Sequence, residues 1–124
     1  MTDTASKDLF VPAIAGLPQD ATARILELLT DRSSVQRVVL YGSRALGRQR
    51  SGSDIDLCLE APQMDLAELL LLGAQIDDLL LPWRIDLQLR HLIRHPGLLD
   101  HIDRYGIPLY PTAHNGLTLV ESQP

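Results

Sequence analysis

The segment 41–57 constrains the fold more than any other part of this 124-residue chain. An apolar run at 38–41 predicts a short buried strand that ends at Gly42. A loop with three arginines follows, and a second run then alternates acidic and apolar residues. Because residues two apart on a strand point to the same face, roughly 6.6 Å apart, Asp54 and Asp56 are expected on one face. Their apolar neighbours are expected to enter the core.

The turn after the first predicted strand has the composition of an anion-binding loop. Gly42 permits close backbone approach, and Ser43 can begin a short helix whose free N–H groups face a phosphate. A plain strand-to-helix turn is the competing interpretation, but the nearby carboxylates favour a triphosphate cradle. Arg44, adjacent to the turn, is the predicted phosphate-neutralising cation, whereas Arg48 and Arg50 fit a solvated loop equally well.

A third acidic residue joins this pattern. The segment 84–90 alternates apolar and polar residues and is the third predicted strand, which places Asp86 on its polar face. Unpaired carboxylates on one sheet face are costly, and a divalent cation with a preference for oxygen ligands resolves the repulsion. We therefore predict a Mg²⁺ site made by Asp54, Asp56 and Asp86. The competing interpretation is a half-exposed sheet whose carboxylates face solvent.

These motifs resemble a known signature. Gly42-Ser43, ten intervening residues and Asp54-x-Asp56 match the pattern of the DNA polymerase beta-type nucleotidyltransferase superfamily. The resemblance covers residues 20–110. The segments Gly-Ser-Arg-Ala and Ser-Asp-Ile-Asp-Leu are most similar to those of the minimal nucleotidyltransferases in this superfamily. The resemblance implies an α/β or α+β fold, with a small mixed β-sheet, helices packed on one face and an open catalytic face.

The resemblance also implies an activity, the Mg²⁺-dependent transfer of AMP from ATP to a hydroxyl group. On the matching positions Asp54 and Asp56 hold Mg²⁺, while Gly42 and Ser43 hold the distal phosphates. Asp86 completes the metal site and can accept the hydroxyl proton. A chain this short is expected to need a partner that presents the acceptor.

The implied partner is a protein. Minimal nucleotidyltransferases are often antitoxins of modules whose other half is a helical HEPN-type protein, so AMP transfer to a HEPN-type toxin is the leading hypothesis. Two alternatives stay open: an antitoxin that acts by binding without catalysis, and a nucleotidyltransferase that modifies a small-molecule drug.

Composition and charge restrict the setting. The net charge of −5 argues against broad adhesion to nucleic acid or an anionic membrane. The single cysteine, Cys58, fits a reducing compartment. No secretory signal or membrane span is visible, so we expect a cytoplasmic protein. Residues 1–110 are predicted to form the nucleotidyltransferase domain, and 111–124 a polar, mobile tail.

The remaining pattern predicts the helices. One is expected near 19–31, a leucine-rich one over 65–80, and a third from His95-Pro96 through Arg104, with His101 at the surface. Consecutive leucines at 69–72 sweep most of the circumference of the second helix. Either another helix of this chain covers the surplus, or the segment 65–81 forms an interface with a partner or with a second copy.

Overall fold

The structure, a computed structural model, describes residues 13–111. Within them the elements follow in this order: α1 (Gln19–Thr30), β1 (Arg37–Tyr41), β2 (Ile55–Glu60), α2 (Leu66–Asp77), β3 (Ile85–Leu89), a 3-10 helix (Arg90–Leu92), α3 (Pro96–Tyr105) and β4 (Ile107–Tyr110). β4 ends at Tyr110, and the predicted domain bounds, 1–110, stay a prediction. Apart from Pro111, the predicted tail lies outside the described residues and stays a prediction.

The four strands form one mixed sheet in the order β3-β2-β1-β4. β1 pairs antiparallel with β2 and with β4, whereas β2 and β3 run parallel. The parallel pair follows from α2, which makes the crossover that parallel neighbours require. The predicted fold class, α+β with a small mixed sheet, is confirmed.

One face of the sheet carries the main hydrophobic core. Alternate residues of β1 and β2 are buried there: Val38, Leu40, Ile55, Leu57 and Leu59. α1 and α2 cover this face, and each contributes fully buried side chains such as Ile25 and Leu72. Because side chains alternate along a strand, residues between the core positions face the other side of the sheet. We call these two sides the apolar face and the polar face.

The third helix, α3, packs on the polar face. Its Ile102 forms a second, smaller cluster with Val39, Tyr41 and Cys58. The prediction that all helices pack on one face is therefore wrong for α3. The chain must cross from β3 at one edge to β4 at the other, and α1 and α2 already occupy the apolar face. The polar face is consequently partly covered rather than fully open.

The leucine-rich helix has two different sides. Asp65 caps α2 by accepting a 2.8 Å hydrogen bond from the Glu68 N–H, as its position before the helix favours. Leu69 and Leu72 face the core, whereas the exposed leucines of this helix form an outer leucine face: Leu66 (55% exposed), Leu70 (66%) and Leu71 (55%). α2 ends at Asp77, before the predicted Leu80.

Among residues 13–111, no helix has the length and apolar character needed to cross a membrane.

Candidate active site

The predicted anion-binding turn follows β1 directly. Gly42 adopts φ +78°, a left-handed conformation that glycine enters without strain. The short helix predicted from Ser43 is not formed, and the following residues make a series of turns. Three bonds close them: the Ala45 and Leu46 N–H groups donate to the Gly42 carbonyl (3.1 and 3.2 Å), and the Arg48 N–H donates to the Ser43 carbonyl (2.8 Å). Because the bond from Arg48 to Ser43 spans five residues, the backbone cannot continue as a regular helix.

The turn lies directly against one of the predicted carboxylates. A Cβ atom built on Gly42 would overlap the Oδ2 atom of Asp56. Glycine is thus required here for two reasons, its backbone conformation and the space above its Cα atom. The close approach brings the predicted phosphate-binding turn and the predicted metal ligand into one site.

Two of the three predicted carboxylates lie side by side on neighbouring strands. Asp56 pairs in register with Asp86 on β3, and with Tyr41 on β1. Residues in register share a face, so these three side chains form a row across the polar face. Asp54 is exposed and lies one residue before β2. The inferred position of the third strand beside the second is therefore correct.

The carboxylates repel one another. Burial raises the pKa of Asp56, and the charges of Asp86 and Asp54 raise it further, while His101 and Arg44 act in the opposite direction. Burial, followed by the charges of Asp86 and Asp56, also raises the pKa of the Tyr41 hydroxyl. An added cation would relieve this accumulation of negative charge.

The residues present fit a magnesium ion that a substrate helps to bind. Within the described part of the chain, no three His, Cys, Asp or Glu side chains are grouped closely enough to hold an ion by themselves. Mg²⁺ is usually held by one or two carboxylates together with substrate phosphates rather than by an all-protein cage. The adjacent, mutually repelling Asp56 and Asp86 offer such a partial ligand set.

Arg44 occupies a different position from the predicted one. Its side chain is buried (3% exposed) and donates hydrogen bonds to the carbonyls of Ala15, Ser53 and Asp54. The prediction that this side chain neutralises phosphate is therefore corrected. Because its donors are engaged by backbone oxygens, Arg44 fixes the ends of the loop and sets the backbone of Asp54. From this buried position the positive charge of Arg44 lowers the pKa of Asp56.

Sequence reasoning missed two residues of the site. His101, predicted to be a surface residue, is half-buried, and its Nε2 accepts a 3.0 Å hydrogen bond from the Gly42 N–H. Tyr41 continues the row of Asp56 and Asp86. The alternation of β1 could have identified Tyr41, since it is two residues from Val39 and opposite in face to Leu40. No local pattern reveals His101, because its partner is 59 residues away.

Comparison with known proteins identifies a family and a fold. The profile of the family described as polymerase beta, nucleotidyltransferase matches residues 23–115. The fold is similar to a chain in the crystal structure of a toxin–antitoxin with AMP-PNP, at 26% identity and a TM-score of 0.61, covering 71% of each chain. No curated protein matches the chain.

Two further solved structures share the fold. One is the toxin–antitoxin MntA-HepT, with 22% identity, a TM-score of 0.58 and coverage of 79% of this chain and 76% of the other. The second is a tri-AMPylated Shewanella oneidensis HEPN toxin in complex with MNT antitoxin, with 22% identity, a TM-score of 0.59 and coverage of 81% and 77%. Together with the glycine-serine turn and the carboxylate row, the family match over most of the length shows that this chain belongs to the polymerase beta nucleotidyltransferase family.

Proposed function

We propose that this protein transfers AMP from ATP to a hydroxyl group of a partner protein, and that it acts as the antitoxin of a HEPN–MNT pair. One observation carries the proposal. Asp56 and Asp86 lie in register on neighbouring strands, and Asp56 is in contact range of the Gly42 turn. A turn that can bind phosphate and a pair of carboxylates that can bind a metal ion thus occupy the same face.

Each residue of the site has an assigned task in this proposal. Gly42 and Ser43 form the turn that binds the distal phosphates of ATP: Gly42 allows the close approach, and Ser43 supplies the donors, since the Gly42 N–H is bonded to His101. Asp56 and Asp86, together with the phosphates, would hold Mg²⁺, and Asp54 would complete the ligand set; the ion would neutralise charge on the triphosphate. Arg44 keeps the loop and the Asp54 backbone in place. The raised pKa of Asp56, caused by burial and by the neighbouring Asp86 and Asp54, supports a cation at this position.

The transfer step needs a base and a leaving group. The acceptor hydroxyl oxygen attacks the α-phosphorus of ATP, and the bond from that phosphorus to the oxygen of the β-phosphate breaks. Pyrophosphate leaves, and the hydroxyl proton passes to the Asp86 carboxylate. Asp86 is suited to this role because it lies at the end of the row and is only half-buried, so an acceptor can reach it.

Similar solved structures support the choice of partner. The chains that this fold resembles come from toxin–antitoxin complexes, and one such complex contains an AMPylated HEPN toxin. The outer leucine face of α2 gives this chain an apolar surface that a helical HEPN-type partner could cover. A second copy of this chain is the other candidate for that surface.

The single, buried Cys58 supports a location in the cytoplasm.

The proposal is tested by measuring ATP binding and AMP transfer together. Calorimetry should show ATP binding by the wild-type protein in Mg²⁺, and EDTA should weaken it sharply. With ATP, Mg²⁺ and a HEPN-type protein that binds this chain, mass spectrometry should show a mass gain of AMP on that protein. The Asp54→Asn, Asp56→Asn double variant should lose binding, and Asp86→Asn should slow transfer at least about a hundredfold while remaining folded.

Glu27→Gln is the matched control, because Glu27 is an exposed carboxylate on α1, which packs on the opposite face of the sheet. This variant should bind ATP and transfer AMP like the wild type. Equal ATP affinity of the wild type and the double variant would refute the nucleotide site. A fully active Asp86→Asn variant would refute the role of the third strand.

A second candidate function is an antitoxin that neutralises its partner by binding alone. The outer leucine face of α2 favours it as well, because binding of a partner through this apolar surface requires no catalysis. In that case the partner would be neutralised equally well by the double variant, with no mass gain on the partner. Transfer to a drug hydroxyl would instead give a modified small molecule.

A further inference from the structure

We propose that His101 is a positioning residue of the nucleotide site, which holds the Gly42 turn in place through the backbone N–H of Gly42. This inference deepens the proposed function and rests on it. The central contact is the 3.0 Å hydrogen bond from the Gly42 N–H to the Nε2 atom of His101. It joins the loop after β1 to the helix that crosses the polar face.

The turn itself leaves the N–H of Gly42 without a partner. Its backbone bonds close only local turns: the N–H groups of Ala45 and Leu46 donate to the Gly42 carbonyl, and that of Arg48 to the Ser43 carbonyl. None of them uses the N–H of Gly42. Glycine has the largest backbone freedom of any residue, so an anchor at its N–H restricts the most mobile point of the turn.

His101 is itself firmly placed. Its ring meets Tyr41 edge to face, with centroids 6.2 Å apart, and Tyr105 at 5.6 Å in a tilted arrangement. The next residue, Ile102, is buried (4% exposed) in the cluster that attaches α3 to the sheet. The imidazole is thus held between two aromatic rings and an anchored helix, so it can fix the position of the Gly42 turn.

The contact bears on the nucleotide because of what lies next to Gly42. The Asp56 carboxylate is close enough that a Cβ atom on Gly42 would overlap it. A small displacement of Gly42 therefore changes the distance between the phosphate-binding turn and the metal-binding row. His101 sets this distance without touching the phosphates, which makes it a positioning residue rather than a catalytic one.

Two variants separate the hydrogen bond from the bulk of the side chain. His101→Phe keeps an aromatic ring for Tyr41 and Tyr105 but has no acceptor for the Gly42 N–H. His101→Gln loses the ring but can place an amide oxygen near the position of Nε2. His91→Phe is the matched control, since His91 is exposed on the 3-10 helix.

The experiment combines amide exchange with nucleotide kinetics. In His101→Phe we expect the Gly42 amide to exchange at least about tenfold faster by NMR. The KM for ATP should rise about tenfold, the loss expected for one hydrogen bond, with a smaller change in kcat. His101→Gln should restore most of both properties, even where its melting temperature is lower. His91→Phe should match the wild type.

Unchanged amide exchange and an unchanged KM in His101→Phe would overturn the inference. So would equal losses in the Phe and Gln variants, since these would trace the effect to ring packing. Failure of the proposed function gives a different result: the wild-type protein would not bind ATP, and the role of His101 in nucleotide binding would be overturned with it. ATP binding by the wild type, together with unchanged affinity in His101→Phe, overturns only the role of His101.

Discussion

The two faces of the sheet are built from the same strands, but one stabilises the folded chain and the other destabilises it. On the apolar face, alternate residues of β1 and β2 are sealed under α1 and α2, and Leu57 and Leu72 are 0% exposed. On the polar face, Asp56 and Asp86 stand side by side with like charges, and burial with that repulsion raises the pKa of Asp56. The first arrangement lowers the free energy of the folded chain, whereas the second raises it.

This difference shows where the fold accepts a cost. A carboxylate pair in register destabilises a strand pair, yet one member, Asp56, lies on β2, a central strand between β1 and β3. The buried apolar side of that same strand offsets the repulsion. An unfavourable local interaction persists only where the surrounding structure holds it in place. Such interactions are typical of functional sites.

The largest expected effect tests the apolar face. Leu72→Lys should unfold the protein, because a charge without a partner in the core costs about 3–5 kcal/mol in addition to the lost burial. Leu70→Lys should leave the domain folded, because Leu70 is 66% exposed on the outer leucine face. Thermal melting with light scattering measures both outcomes, and loss of an assembly in the folded Leu70→Lys variant would identify the interface.

Two results would contradict this division of α2. If Leu70→Lys also unfolds the protein, the outer leucine face belongs to the core. If it keeps the native assembly and partner binding, the face is no interface.

The sequence predicts the apolar face almost completely and the polar face only in part. Alternation in β1 and β2 assigns each core residue to its side, because that pattern depends only on neighbours along the chain. The sequence also predicts that Asp56 and Asp86 share a site, because side-chain alternation places each of them on the polar face of its strand. Arg44 was misplaced because its three carbonyl partners belong to separate segments, and charge alone does not distinguish a phosphate ligand from a buried clamp.

His101 and α3 show the remaining limit. The start signal His95-Pro96 predicts the helix, but which face it crosses depends on the strand order, with β3 and β4 at opposite edges. Once α1 and α2 occupy the apolar face, α3 must carry His101 to the Gly42 turn. Such a contact is a property of topology, and a single sequence contains no local signal for it.

The second prediction tests the junction between the turn and the carboxylates. Gly42→Ala should cost about 1–2 kcal/mol for its left-handed backbone, and should also displace the Asp56 carboxylate and weaken ATP binding at least about tenfold. Gly47→Ala is a matched control, because Gly47 has φ +72° and open space around its Cα atom. It should show the same loss of stability in a thermal melt with normal ATP affinity. Equal ATP affinity in the two variants would mean that the contact with Asp56 is irrelevant to binding.

The smallest expected effect tests whether the polar face is strained. Since the pKa of Asp56 is raised above its ordinary 3.8, the folded protein binds this proton more tightly than the unfolded chain does. The contribution of this group to stability therefore falls as the pH rises from 3.8 through the raised value, and at neutral pH it is destabilising. Asp56→Asn removes the charge, so its melting temperature in EDTA should exceed that of the wild type by a few degrees at most. Added Mg²⁺ should raise the melting temperature of the wild type and leave that of Asp56→Asn unchanged, because an ion that binds only the folded state stabilises it by mass action. A lower melting temperature of Asp56→Asn in EDTA would show that the carboxylate is stabilised by its surroundings, and that the two faces of the sheet do not differ in the way described.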